Sequence, residues 1–229
     1  MKPPFQMRTE TDLEQWRHDT WDTKEPETIE WIKGFAHDAV FYDIGANVGV
    51  YTLYCAAVHP QAVVYAFEPH PENWRALEYN RQANGFDRIN VISQAVGDKC
   101  GLCAIMLPGM AAGISGTQMT AAGNGMVSRT TIDEYVKRHE PPTHVKIDID
   151  GQEAKVIAGM RDTLLSPTLR SVLVEVTPDS AGPICATMSS AGFSTLNRYN
   201  CMSPHSLERR IREGIPERNI IFTRRTQCY

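Results

Sequence analysis

Two short apolar runs, AVFYDI (39–44) and AVVYAF (62–67), flank the helical stretch VGVYTLYCAAV, and this juxtaposition leaves few folds open. Runs rich in β-branched and aromatic residues, too short for a buried helix, read as strands covered on both faces. A strand–helix–strand order then demands a parallel pair. The alternation continues along the chain. PENWRALEYNRQANG starts with Pro71 in a first-turn position, repeats Trp74, Leu77 and Ala83 at helical spacing, and stops at Asn84-Gly85. INVISQAV (89–96), HVKIDI (144–149) and SVLVEV (171–176) are further strands, and a helix with Val156, Ile157, Met160 and Leu164 on one face lies between the last two.

One gap interrupts this pattern. Residues 97–143 hold the apolar run LCAIML and then PGMAAGISGTQMTAAGNGM, whose glycines and small residues predict a mobile loop over 107–126 rather than another element. The tail carries FSTLNRY (193–199) and RNIIFTRR (218–225) without a helical crossover, which predicts an antiparallel closing pair. Residues 1–34 are polar with spaced aromatics and read as a helical lid or brace, in front of a ligand-binding core over 35–177. At 229 residues, one domain is expected.

Composition excludes some classes. A net charge of -4 gives no reason to expect a nucleic-acid partner. No apolar run reaches the roughly 20 residues of a membrane span. Six scattered cysteines and an N-terminus without a signal-like apolar region fit a reducing cytoplasm.

FYDIGANVGVYTLY places Asp43-x-Gly45-x-x-x-Gly49 directly after a strand and at a helix start. In doubly wound sheets the strand ends receive the ligand, and glycines let backbone approach it closely. The spacing departs from G-x-G-x-x-G, and no G-x-x-x-x-G-K-[ST] occurs, so a nucleoside without a pyrophosphate fits better. Glu68 ends the second strand, where an acid accepts hydrogen bonds from ribose hydroxyls. S-adenosylmethionine has the required ribose, a zwitterionic tail and a sulfonium that acids tolerate.

YDIGANVGVYTL, AFEPHPENWRALEYNRQANG, VISQAVGD, RTTIDEYV, VKIDIDGQEAKVIAGM and SVLVEV together resemble the FkbM family of S-adenosylmethionine-dependent methyltransferases, over roughly residues 26–177. The resemblance implies a class I methyltransferase fold: α/β and Rossmann-like, with a mostly parallel seven-stranded sheet, an antiparallel last strand and helices on both faces. It assigns Asp43, Gly45, Asn47 and Gly49 to the methionine tail, Glu68 with Pro69 to the ribose, and Gln94, Ala95 and Val96 to the adenine. It implies a small-molecule hydroxyl as acceptor, on a sugar or secondary metabolite. One departure is the turn Asp148-Ile149-Asp150-Gly151, where the family has Glu in place of Asp150.

Asp148 is the expected catalytic residue, binding the acceptor hydroxyl or taking its proton. Asp150 and Glu153 form a D-x-x-E that predicts a helix-capping box. A less favoured arrangement has Asp148, Asp150 and Glu175 hold Mg²⁺. D-I-D also matches the metal motif of a nucleotide-sugar glycosyltransferase, but that leaves Asp43 and Glu68 unexplained. A non-catalytic cofactor-binding subunit is the third reading. Cys100-x-x-Cys103 has no second pair and reads as structural, His70 as a pocket wall, His144 as solvated or structural, and Arg209, Arg210 and Arg212 as a solvated helix face. Met106, Met110, Met119 and Met126 either close over an acceptor or pack the loop.

Overall fold

The computed structural model describes residues 2–195 and 218–225. The apolar runs are strands: β1 (Val40–Ile44), β2 (Val63–Phe67), β3 (Ile89–Ile92), β4 (Ala95–Val96), β5 (Gly101–Met106), β6 (Gln118–Thr120), β7 (Gly125–Thr130), β8 (His144–Ile147), β9 (Ser171–Val176), β10 (Phe193–Thr195) and β11 (Arg218–Arg224). The helices are α1 (Asp12–Asp19), α2 (Pro26–Lys33), α3 (Val50–Val58), α4 (Pro71–Ala83), α5 (Ile132–Tyr135), α6 (Glu153–Ala158), α7 (Arg161–Leu165) and α8 (Pro178–Ser190). A seven-stranded sheet runs β10-β11-β9-β8-β1-β2-β3, with β11 antiparallel to both neighbours and the other pairings parallel. This is the expected closing pair. Arg209, Arg210 and Arg212 lie outside the described residues.

Period-2 alternation divides the sheet between two cores. Tyr42, Ile44, Val145, Ile147, Val172 and Val174 face α6, α7 and α8, whereas Phe41, Val64, Leu173 and Ile221 face α2, α3 and the buried Trp21 and Trp31. Phe5, Trp21, Ile29, Trp31 and Ile32 of the N-terminal segment are thus packed into this core. Asn80 and Asn84 of α4 fasten the segment further by accepting the amides of Arg8 and Gln6, both at 2.7 Å.

Two sequence expectations need correction. INVISQAV is not one strand, because the chain leaves the main sheet after Ile92 and β4 pairs with β7 instead. The 97–143 gap is not merely a loop, because β4, β7, β5 and β6 form a second sheet in that order. Its strands alternate apolar and polar too weakly to be read, and Ile105 is the one fully covered side chain of β5. The helix after β8 also breaks in two at Gly159, where a Cβ would overlap the Gly97 carbonyl oxygen. Among the described residues no helix is long and apolar enough to cross a membrane.

His144 belongs to the end of the sheet away from the strand tips. Its ring stacks on Phe35 with centroids 3.8 Å apart, and Nδ1 meets Ser171 Oγ at 2.7 Å, the hydroxyl that also accepts from Trp31 Nε1. Burial pushes its pKa down to about 3. The unfolded chain takes up this proton below about pH 6.5 while the fold does not, so stability falls on acidification, by about 2 kcal/mol at pH 5 from this group alone. Urea denaturation at pH 7 and pH 5 should show a smaller acid loss in His144→Phe than in the parent.

Candidate functional site

The carboxyl ends of β1, β2, β8 and β9 open into one cleft with about 1030 Å³ of empty space, mouth included. It lies where the strand order turns back between β1 and β8, the crevice in which open α/β sheets receive ligands. Gly45, Asn47, Glu68, Pro69, Gln94, Ala95, Val96 and Asp148 all line it. Asp43 and Gly49 do not. Asp43 is buried behind the turn, where its Oδ2 accepts from Thr52 Oγ1 at 2.6 Å, and Gly49 is the left-handed N-cap of α3, pressed against Leu77. Both shape the turn rather than its surface.

The turn itself requires its residue types. At Gly45, φ is +84° and a Cβ would overlap the Asp148 carbonyl oxygen. Asn47 tolerates φ of +52° because its own Oδ1 accepts from Val48 N at 2.9 Å. Its backbone amide donates to Glu68 Oε2 at 2.8 Å, and the His70 amide donates to Oε1 at 2.8 Å. Burial nevertheless pushes the Glu68 pKa up to about 7, against the pull of the His70 and Asn47 amides.

Deeper in the cleft, Lys146 is 1% exposed in the middle of β8. Register sets Asp43 beside it, and Asp148, two residues on, shares its face. Lys146 Nζ donates to Asp148 Oδ2 at 2.6 Å and lies 5.1 Å from the Tyr51 ring centroid. Burial alone would lower its pKa, but Asp148, Asp43 and Glu25 together hold it above the usual lysine range. Burial likewise opposes the charge on Asp148, and the Lys146 ammonium prevails, so this carboxyl sits below the usual carboxylate range. Beside it, the negative Asp148 and then burial raise Glu175 to about 9.

Residues 109–119 cross the cleft and are latched from several elements. Their carbonyls accept from Thr11 Oγ1, Arg17 Nε, Asn47 Nδ2, Asn73 Nδ2 and Gln152 Nε2, at 2.7 to 3.0 Å. His70 is the N-cap of α4, with Nε2 2.8 Å from the Gly109 carbonyl oxygen, so it anchors this segment and is not a wall of the cleft. Of the four methionines, Met119 alone lines the cleft; Met106, Met110 and Met126 are exposed on the outside.

The capping box is also corrected. Asp150 adopts φ of +57°, which turns its carboxyl away from α6 to accept from Gly116 N at 2.7 Å. The N-cap of α6 is Gln152, and Glu153 reaches back to the Gly151 and Ile149 amides at 3.0 and 3.3 Å. Asp150 is thus engaged with the crossing segment, and Asp148 with Lys146. Among the described residues no group of three or more His, Cys, Asp or Glu is placed to hold a metal ion. Asp150→Ala should speed amide exchange at Gly116 roughly tenfold or more, because a hydrogen bond to a charged acceptor contributes about 1.5–3 kcal/mol. Native-state hydrogen exchange checks this.

Sequence reasoning missed Lys146, Arg17, Lys24 and Asn73, all of which line the cleft. Lys146 alone carried a signal, since a lysine inside an apolar strand needs buried acids around it. Cys100 and Cys103 are free thiols, the first exposed and the second on β5.

The chain is 31% identical over 143 residues to the hexuronic acid methyltransferase AglP of Haloferax volcanii, which covers 61% of this chain and 56% of AglP. It therefore spans little more than half the length of that relative. It is 27% identical over 196 residues to the 31-O-demethyl-FK506 methyltransferase FkbM of Streptomyces tacrolimicus, covering 69% of this chain and 73% of that one. Among solved structures, the precorrin-6y C5,15-methyltransferase of Geobacter metallireducens shares the fold with a TM-score of 0.52 at 12% identity, over 88% of this chain and 87% of that one. The architecture is that of class I S-adenosylmethionine-dependent methyltransferases. The methyltransferase FkbM domain matches residues 43–195, a span that begins at the acid of the glycine turn and takes in Glu68, Asp148 and Glu175, so the chain belongs to the FkbM methyltransferase family.

Proposed function

We propose that this chain transfers a methyl group from S-adenosylmethionine to a hydroxyl of a small molecule, of the sugar or secondary-metabolite class. The observation that carries this reading is Glu68. It is a buried carboxyl at the cleft wall, one backbone amide donates to each oxygen, and even with the Asn73 side chain and the Arg17 charge also favouring ionisation, burial holds its pKa up at about 7. Such a group needs further neutral donors to ionise, and a ribose diol supplies two. A second orphan supports the fit: Thr117 Oγ1, on the cleft wall, is buried without a partner.

On this reading Gly45 and Asn47 hold the amino-acid tail, Glu68 and Pro69 the ribose, and Gln94, Ala95 and Val96 the adenine, with Asp43 and Gly49 supporting from behind. When bound, the cofactor supplies an electrophilic methyl group on a sulfonium. Asp148, ionised beside Lys146, helps position the acceptor hydroxyl. The relatives' names record a hexuronic acid and an O-demethyl compound, which agrees with an oxygen acceptor.

Calorimetry with S-adenosylhomocysteine tests the cofactor. Transfer of labelled methyl from S-adenosylmethionine to a panel of hexoses, hexuronic acids and hydroxylated metabolites, read as a +14 product, tests the reaction. A folded protein that shows no heat with S-adenosylhomocysteine sinks the proposal.

A further inference from the structure

We propose that Glu175 is a catalytic residue of this reaction: it takes the proton of the acceptor hydroxyl on one oxygen while passing its own proton to Asp148. This inference rests on the methyl-transfer reading above. It starts from register. β8 and β9 pair Ile147 with Val174, so Asp148 and Glu175 follow side by side at the strand ends, and both line the cleft. Two carboxylates side by side at buried strand ends repel each other, and the Asp148 charge and burial both oppose ionisation of Glu175, so the pair favours holding one proton.

The surroundings decide which carboxyl carries it. Lys146 Nζ occupies Asp148 Oδ2 at 2.6 Å and favours the charge there, while Glu175 is raised to about 9 and keeps the proton at neutral pH. Other charged or titratable groups facing the pair are Asp43 on β1, Tyr51 on α3, Lys24 and Glu25 ahead of α2, and, acting on Asp148 from the turn and helix after β8, Asp150 and Glu153. Glu25 adds negative charge, but it is itself held by Lys24 at 2.6 Å and by Thr28 and Asn219. With Lys146 Nζ on Asp148 Oδ2 and Glu175 beside it at the cleft surface, a proton bound for Asp148 is relayed through Glu175.

The proton count balances across the pair. The acceptor O–H bond breaks and its proton bonds to the free Glu175 oxygen, as the proton already on Glu175 moves to Asp148. The O–H electron pair stays on the acceptor oxygen for the new O–C bond, and the pair of the broken S–C bond stays on sulfur. Two neutral carboxyls remain beside the Lys146 ammonium. Release of one proton to solvent restores the starting state.

Glu175→Gln separates this role from packing, because the amide still donates to Asp148 but cannot accept the proton. In the proteins without ligand, the infrared difference between parent and Glu175→Gln should show a protonated carboxyl band that persists at pH 8.5, where Glu68 is ionised, and titrates with a midpoint near 9. With S-adenosylhomocysteine, the variant should bind within about twofold of the parent, while methyl transfer to the hydroxyl panel falls roughly 10²- to 10⁴-fold in kcat. Glu175→Asp, which keeps the acid, should recover part of that loss. A variant that retains kcat within about threefold, or the absence of that difference band, overturns the proposal. Failure of the parent to bind S-adenosylhomocysteine overturns the methyl-transfer reading instead, and leaves the infrared result to decide the proton-sharing pair.

Discussion

Lys146→Met should destabilise the fold by about 3–5 kcal/mol, the range for removing one partner from a buried charge cluster. Methionine matches the lysine stem in length, so a lost packing contact is not the main cause. What remains is a set of acids assembled around a missing cation. Asp43 and Asp148 share the β8 face with Lys146, and Glu25 approaches from the N-terminal segment. With the ammonium gone, Asp43 and Asp148 lose the largest influence opposing burial, and their folded pKa values rise above the unfolded ones. The fold then binds more protons than the unfolded chain at intermediate pH, so the variant gains stability relative to the parent as pH falls. Urea denaturation at pH 8 and pH 5 should show the gap between Lys146→Met and parent narrowing on acidification. Adding Asp148→Asn to the variant should recover part of the loss at pH 8. A pH-independent gap would mean that lost packing, not charge, is the cause.

This cluster also shows where sequence reading stops. β1, β2, β8 and β9 were legible because short runs of four to six residues built around Val, Ile, Leu, Phe and Tyr, too short for a buried helix, admit little except a covered strand. Pro71 fixed the start of α4, and Asn84-Gly85 fixed its end. That Gly45 and Glu68 line one cleft was legible because a turn after one strand and an acid after the next converge on the same crevice in a parallel sheet. Asp43 lies behind the turn, since its side chain points toward Thr52 of α3, while Gly45 lines the cleft. The latched 109–119 segment was out of reach for a different reason. Its partners Thr11, Asn47, Asn73 and Gln152 are up to about a hundred residues away in the chain, and each contact is a side chain on a backbone carbonyl, which leaves no trace in local composition. Asp150 failed as a cap because D-x-x-E spacing assumes that the helix begins one residue later, whereas the left-handed turn at Asp150 and Gly151 delays it to Glu153.

Glu68→Gln should weaken S-adenosylhomocysteine binding by about 3 kcal/mol or more, a roughly hundredfold loss, if two ribose hydroxyls donate to its carboxylate. Glutamine retains one acceptor oxygen but loses the charge, and its amide group faces a donor where the carboxylate offered an acceptor. The pH dependence gives the sharper test. In the free protein Glu68 titrates near 7, raised by burial, and the fold holds a proton there that the unfolded chain releases near 4.5. This group therefore costs the unliganded protein stability as pH rises from about 4.5 to 7. Hydroxyl donors favour the ionised form, so affinity should improve over the same window, by up to about tenfold per unit, and level off above pH 7. Calorimetry at pH 5.5, 6.5 and 7.5 should show this slope in the parent and its loss in Glu68→Gln. Thermal unfolding must accompany it, because the carboxyl also receives the Asn47 and His70 amides, and a variant that no longer melts cooperatively would report on the turn, not on the ligand. A cooperative Glu68→Gln protein that binds as tightly as the parent at every pH would remove the ribose from this wall and require the nucleoside to be held elsewhere in the cleft.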